Sequence, residues 1–134
     1  MRHIVNALLL REGKVLLARR APHRAAYPDR WSFPGGHVEA NETLDAALIR
    51  ESREEIGVSP TRFALLDTIV DPNTDASDPA TYHMHAVTAW TGGEPAMTGD
   101  EHTALEWFAF DIAATLPDLA LEEYRPLLRV LGFT

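Results

Sequence analysis

The chain has 134 residues, of which 20 are acidic and 12 are basic, and a formal net charge of −8. The length predicts one domain spanning residues 1–134, and the acidic balance argues against a polynucleotide partner, which requires a basic face. The lack of cysteine excludes disulfides and thiol catalysis, and the lack of a long apolar run or signal peptide predicts no membrane association and a cytoplasmic location.

The N-terminal part of the chain predicts strands separated by turns. His3–Leu10 is apolar on both alternating faces, which is typical of a central strand covered on both sides. The segments that follow are a turn at Glu12-Gly13, a strand at Val15–Ala18, a loop at Ala21–Asp29, an extended segment at Trp31–Phe33 and a flexible turn at Pro34-Gly35-Gly36. A short strand after a tight turn predicts a hairpin.

A helix follows this turn. Asn41 or Thr43 is suited to cap its start, and Gly57 is suited to end it in the left-handed conformation. Downstream, the pattern predicts strands at Phe63–Val70, Tyr82–Trp90 and Trp107–Phe110, loops at Asp71–Pro79 and Thr91–Asp100, and an amphipathic helix at Leu121–Leu131 despite Pro126. Strands flanked by two helices indicate an α/β sandwich with a helix on each side of a mixed sheet.

Three glutamates of the first helix, Glu51, Glu54 and Glu55, stand at i, i+3 and i+4 and fall on one side of it. Like charges at this spacing repel one another, and a hard cation held by oxygen ligands compensates. The alternative is an ordinary solvated face. However, the glutamates adjoin an arc predicted to be packed (Leu48, Ile49, Ser52, Ile56) and not the outward arc (Ala46, Arg50, Arg53), so we expect them at the edge of a cleft.

From Gly36 to Val58 the chain reads Gly-x5-Glu-x7-Arg-Glu-Ser-x-Glu-Glu-x-Gly-Val. This pattern resembles the signature of the Nudix hydrolases. The resemblance implies a Nudix-type α/β/α sandwich and a hydrolase that uses Mg²⁺ or Mn²⁺. Ser52 departs from the family pattern, which usually has an aliphatic residue there, and we expect its hydroxyl to bond the carbonyl one turn back.

The resemblance also implies roles for individual residues. Glu51, Glu54 and Glu55 would hold the metal together with the backbone carbonyl of Gly35. Support would come from Gly57 at the helix end, from Gly36 in a backbone turn that a side chain would obstruct, and from an ion pair between Glu42 and Arg50 that fixes Glu51. Glu51 or a loop glutamate would act as the base on water, and Glu101 is the loop candidate, with Glu106 in reserve.

Other candidates lie outside the motif. Arg20 matches an arginine that contacts substrate phosphate or sugar in MutT-like members, although an exposed loop arginine is an equal alternative. Phe33 is a candidate for the base pocket or the core, and Tyr124 for stacking on a base. His83 and His85 share a strand face, but without a third ligand at metal spacing we expect them to be ordinary hydrogen-bonded strand residues.

The predicted substrate is a small nucleotide. The favoured reaction converts a ribo- or deoxyribonucleoside triphosphate to the monophosphate and pyrophosphate. ADP-ribose hydrolysis and dinucleoside polyphosphate hydrolysis are alternatives, although Pro72 lies in a divergent context for the former and Tyr82 is too distant for the latter. A non-catalytic nucleotide sensor is the alternative from another class. Isopentenyl diphosphate isomerase shares the fold but needs a cysteine. The sequence favours no oligomeric state.

Overall fold

The computed structural model describes residues 2–132 as a mixed sheet with helices on both faces. Its strands are β1 (Arg2–Arg11), β2 (Lys14–Arg20), β3 (Trp31–Ser32), β4 (Gly35–His37), β5 (Ser59–Val70), β6 (Ala80–Thr91) and β7 (His102–Ala109). Its helices are α1 (Leu44–Ile56), α2 (Phe110–Ala114) and α3 (Tyr124–Leu131). None of these helices, which together cover the helical part of residues 2–132, has the length and apolarity needed to cross a membrane.

The sheet is built around β1. Its strand order is β3-β2-β1-β6-β5, with β4 also paired to β1 and β7 to β2. The β1–β6 pair is parallel and the other pairs are antiparallel. The prediction of a central, doubly covered strand and a mixed sheet is therefore confirmed.

Alternate side chains of β1 pack into two separate hydrophobic cores, one on each face of the sheet. Val5 on one face packs with α1, through a cluster that contains Leu48 and Ile56. Leu8 on the other face packs with the C-terminal helices, through a cluster that contains Tyr124 and Leu128. One helical layer therefore covers each face, as an α/β/α sandwich requires.

Helix α1 begins and ends as its sequence predicts. Thr43 rather than Asn41 is the cap, because its Oγ1 accepts a hydrogen bond from the Ala46 amide at 3.1 Å. Gly57 ends the helix in the left-handed conformation with φ of 72°. The predicted packed arc was partly wrong: Ala47 is buried, whereas Ile49 is half-buried.

Several segments differ from the prediction. Strand β5 begins at Ser59 and not at Phe63, and the predicted flexible turn Pro34-Gly35-Gly36 overlaps strand β4. The last strand is longer than predicted and begins at His102, because it pairs along the whole of β2. The short helix α2 was missed. Helix α3 begins at Tyr124 and not at Leu121, because Leu119 bridges to Trp31, the Ala120 amide donates to the Trp31 carbonyl, and turns lead from there into the helix. Pro126 is then the third residue of α3, in the first turn, where an amide hydrogen has no partner within the helix.

Candidate active site

Two glycines of β4 allow close packing, Gly36 against Glu51 of α1 and Gly35 against the backbone of β1. A Cβ on Gly36 would lie 2.3 Å from Glu51 Oε2, and one on Gly35 would lie 1.9 Å from the Val5 carbonyl oxygen. The expectation that Gly36 serves a backbone turn was wrong, since it lies in a strand and does not adopt a positive φ. It is required because the Glu51 carboxylate occupies the space of its missing side chain.

Arg50 is the centre of an ion-pair network beside the contact between β4 and α1. Its Nε and Nη2 donate to the two carboxylate oxygens of Glu42 at 2.7 and 2.9 Å, and Nη1 donates to Glu51 Oε1 at 2.9 Å. Nη2 also donates to the His37 carbonyl at 2.9 Å, and Nη1 to Glu54 at 3.2 Å. One guanidinium therefore joins α1, β4 and the preceding loop.

The pKa values of Glu42 and Glu51 in this network are shifted in opposite directions. The bidentate bond from Arg50, together with the Glu39 amide, lowers the pKa of Glu42 to about 2. Burial raises the pKa of Glu51, although the Arg50 hydrogen bond opposes this effect. Glu54 is exposed and bonds Arg50. The geometry thus contains the Glu42–Arg50–Glu51 contacts that the sequence led us to expect.

Glu55 meets the loop and strand that carry Glu101 and His102. Burial raises the pKa of Glu55, and its carboxyl group lies within hydrogen-bonding reach of Glu101, whose pKa is lowered by that same contact. Glu55 Oε2 lies 3.2 Å from His102 Nδ1 but is buried without an aligned hydrogen bond.

These carboxylates fit a divalent cation by their chemistry. The Glu51 carboxylate lies against Gly36, in a space (the glycine cradle) that any larger side chain at position 36 would fill. Among the described residues, Glu55 has a buried oxygen without a hydrogen bond, and the carboxyl groups of Glu55 and Glu101 approach each other closely. Oxygen ligands and unrelieved negative charge are what Mg²⁺ and Mn²⁺ favour. Within residues 2–132, no three such side chains already converge on one point, because Arg50 holds both Glu51 and Glu54.

A cavity of about 560 Å³ opens beside the glycine cradle. Gly35, Gly36 and His102 line the end next to the carboxylates, and Arg20 lines it from β2. Burial lowers the pKa of the Arg20 guanidinium, which donates through Nε to the Ala26 carbonyl at 2.7 Å. The described residues place no carboxylate at ion-pair distance from Arg20, whereas its neighbour Arg19 pairs with Asp29 and Asp118.

The predicted base-binding residues lie in the core and also line this cavity. Phe33 and Tyr124 are almost fully buried, and their rings meet edge to face with centroids 4.8 Å apart. Their contact with a base stays a prediction. Glu106 is exposed on β7 and is not among the cavity's lining residues.

His83 and His85 are hydrogen-bonded strand residues, as expected. His83 Nε2 lies 2.9 Å from His3 Nδ1, and His85 Nδ1 lies 3.0 Å from the His83 carbonyl oxygen.

Sequence reasoning missed several residues of the site. His102 stood in the loop that suggested Glu101, but its contact with Glu55 depends on where β7 begins. Asn6 and Asp71 also line the cavity. A polar residue within the apolar strand β1 was a usable signal for Asn6, while Asp71 at the start of a polar loop gave none.

Comparisons with known proteins agree with this geometry. The NUDIX domain family matches residues 1–131. The CTP pyrophosphohydrolase of Escherichia coli K12 is 34% identical over 119 residues, which cover 87% of this chain and 82% of that protein. The 8-oxo-dGTP diphosphatase of Proteus vulgaris is 38% identical over 89 residues, which cover 66% and 77% of the two chains.

A solved structure is similar over nearly the whole chain. The crystal structure of a MutT NUDIX hydrolase from Burkholderia pseudomallei matches with a TM-score of 0.82 and 31% identity, covering 96% of this chain and 95% of that one. The family match and the pyrophosphohydrolase relatives identify the protein as a hydrolase acting on phosphoric anhydrides. The chain belongs to the NUDIX family.

Proposed function

We propose that this protein hydrolyses ribo- or deoxyribonucleoside triphosphates to the monophosphate and pyrophosphate, with Mg²⁺ or Mn²⁺ as cofactor. The observation that carries the proposal is the position of two buried carboxyl groups, Glu51 and Glu55, close to a cavity lined by the half-buried guanidinium of Arg20, which has no carboxylate partner within residues 2–132. Two similar proteins are named for CTP and 8-oxo-dGTP, both nucleoside triphosphates.

The metal would be held by Glu51, Glu54, Glu55 and the Gly35 carbonyl. When bound, a divalent cation lowers the pKa of water and neutralises charge on phosphoryl oxygens. Arg50 then keeps Glu51 in position through its bond to Oε1. To bind the cation, Glu54 would give up its exposed hydrogen bond with Arg50. This loss costs little free energy, because the ion pair lies at the surface.

We assign the two parts of the substrate to different residues of the cavity wall. Arg20 is the proposed contact for a phosphate, because a half-buried cation with no carboxylate partner among the described residues favours an anionic ligand. Phe33 and Tyr124 are the proposed apolar contacts for the base. Glu51 or Glu101 accepts a proton from the attacking water, whose oxygen bonds to phosphorus while the bond to the pyrophosphate oxygen breaks.

The test is a substrate panel assayed with Mg²⁺, with products identified by ³¹P NMR and anion exchange. The panel contains ribo- and deoxyribonucleoside triphosphates, ADP-ribose and a dinucleoside polyphosphate. We expect the highest kcat/KM on a triphosphate, with pyrophosphate as a product. Faster turnover of ADP-ribose or the dinucleotide would overturn this subclass. Tight nucleotide binding without turnover would favour a nucleotide sensor.

Variants of the glutamates test the catalytic assignment. Glu54→Gln and Glu55→Gln keep the shape of each side chain but remove a charged ligand, so kcat should fall by at least about 100-fold with the fold intact. Glu12→Gln, in the exposed β1–β2 turn, is the control. Wild-type turnover in both glutamate variants would contradict the assignment.

A further inference from the structure

Asn6 is a polar residue within the apolar central strand β1. Its side chain points away from α1, on the same face of β1 as Leu8, and it lines the cavity with only 4% of its surface exposed. Asn6 Nδ2 donates to the Phe33 carbonyl at 3.3 Å. This bond identifies which end of the amide is nitrogen, so the other end is the acceptor Oδ1.

Among the residues that the structure describes, Asn6 Oδ1 is buried and has no hydrogen-bond partner. Buried polar atoms in folded proteins are almost always paired, and leaving one unpaired is costly. An apolar residue at this strand position would avoid the cost. A donor supplied by a ligand in the cavity would remove it, so the unpaired oxygen indicates a ligand that presents an N–H group.

Neighbouring polar groups on the cavity wall have already used donors on one another. The Tyr27 and Tyr82 hydroxyls both donate to the buried carboxylate of Asp71, at 2.6 and 3.0 Å. Asn73 Nδ2 in turn donates to the Tyr27 oxygen at 3.2 Å. Burial and the bond to Asp71 raise the pKa of Tyr27 to about 12, so its phenol keeps its proton at neutral pH. The hydroxyl hydrogens of Tyr27 and Tyr82 are therefore already used within the wall and are not available to pair with Asn6 Oδ1.

Nucleobases differ in what they present to such a wall. Cytosine and adenine carry an exocyclic amino group at the position where uracil and hypoxanthine carry a carbonyl oxygen, and guanine carries one at another position. An amino group donates to an acceptor, whereas a carbonyl oxygen facing Asn6 Oδ1 would add a second unpaired acceptor.

We propose that Asn6 Oδ1 is a specificity-determining acceptor that selects nucleotides whose base carries an exocyclic amino group. The inference rests on the proposed nucleoside triphosphate hydrolysis and names the substrate class within it. The discrimination comes from the base that lacks the donor, because it leaves a buried acceptor unpaired.

The first measurement uses the wild-type protein and matched substrate pairs with Mg²⁺. We expect kcat/KM to be at least about tenfold higher for CTP than for UTP and for ATP than for ITP, since a buried hydrogen bond is lost in the second member of each pair. Ratios near one would overturn the role of Asn6. Calorimetric binding of CMP against UMP gives the same comparison without turnover.

Failure of the two proposals can be told apart. If no triphosphate is hydrolysed but CMP binds at least about tenfold more tightly than UMP, the proposed reaction is wrong and the acceptor role stands. If triphosphates are hydrolysed with no preference for the amino-bearing member, the reaction stands and the acceptor role is wrong.

Variants test the residue itself. Asn6→Leu and Asn6→Val remove the acceptor with different shapes, so that one tolerated substitution is sufficient, and thermal melts identify the folded variants. Both should bring the CTP/UTP ratio to within about threefold of one, chiefly by lowering kcat/KM for CTP. A ratio that survives in a folded variant would overturn the proposal.

Ser52→Ala is the matched control. Ser52 Oγ is also buried without a hydrogen bond, but it lies on α1 and is not among the cavity's lining residues. Removing it should leave the CTP/UTP ratio unchanged. A change as large as that in the Asn6 variants would attribute the effect to core packing and overturn the role of Asn6.

Discussion

Ser52 and Glu55 lie one turn apart on α1, and each has a buried oxygen without a hydrogen bond. The Ser52 hydroxyl is enclosed by the packed face of the helix, where the expected bond to the carbonyl one turn back is absent, so that expectation was wrong. The Glu55 oxygen lies beside Glu101 and His102 at the edge of the cavity. The unpaired oxygen therefore lowers the stability of the fold at Ser52, whereas at Glu55 it is positioned to bind a ligand at the cavity.

Ser52→Ala should therefore stabilise the protein. The change removes a buried hydroxyl without a partner and adds no bulk, so we expect a gain of about 1 kcal/mol and a rise in Tm of a few degrees. Calorimetric melts of both proteins measure it. Thr43→Ala is the contrasting variant, because losing the helix cap should lower stability by about 1 kcal/mol. A fall in Tm for Ser52→Ala would mean that its hydroxyl is bonded after all.

At the scale of elements, Arg50 links three parts of the fold through one side chain. Its guanidinium bonds Glu42 in the loop, Glu51 and Glu54 on α1 and the His37 carbonyl at the end of β4. The side chain is 23% exposed, so these bonds are only partly screened by solvent. Removing it would leave several carboxylates close together without a cation.

Arg50→Ala should lower stability by about 2 kcal/mol or more, because it leaves partly buried carboxylates unpaired. Arg50→Lys keeps the charge but loses the bidentate bond to Glu42, so an intermediate loss is expected. Arg53→Ala is the control on the same helix, since Arg53 is exposed and makes one bond of 3.3 Å to Ser59. Urea denaturation measures all three, and equal effects at both arginines would show that Arg50 is an ordinary surface residue.

The pH dependence of this network follows from Glu42. Its folded-state pKa is about 2 against an ordinary value of 4.5, so it contributes stability above pH 4.5 that is lost as the pH falls toward 2. Glu42→Gln should be less stable than the wild type at pH 7, and the difference should shrink steadily below pH 4.5. Glu39→Gln, which lies 3.7 Å from Arg50 and is more exposed, should show a smaller effect. A constant difference across this range would contradict the ion pair.

At the scale of the whole molecule, the sequence was informative where local spacing decides the outcome. The period of α1 placed Glu51, Glu54 and Glu55 together, and Gly57 marked its end, because both depend on residues a few positions apart. The contacts of Asn6, Asp71 and His102 depend on how β1, β6 and β7 are aligned in the sheet. Tyr27 reaches Asp71 across 44 positions of sequence, and no local pattern encodes such a distance.

The proposed metal site is also a property of the whole molecule, because its residues come from α1, β4 and the start of β7. Without a cation, the buried carboxyl group of Glu55 opposes folding at neutral pH, since its folded-state pKa is raised by burial. In the proposed site, a bound cation would make the same group a ligand. Glu55→Gln should therefore change stability in opposite directions in the two conditions.

In EDTA, Glu55→Gln should melt at the same temperature as the wild type or higher, because the change removes a buried charge. Adding Mg²⁺ should raise the wild-type Tm by several degrees, since a ligand at a hundred times its Kd stabilises by about 2.7 kcal/mol. The variant should lose most of this rise, while Glu12→Gln should keep it. A variant that is destabilised in EDTA and still responds fully to Mg²⁺ would assign Glu55 to the core and remove it from the metal site.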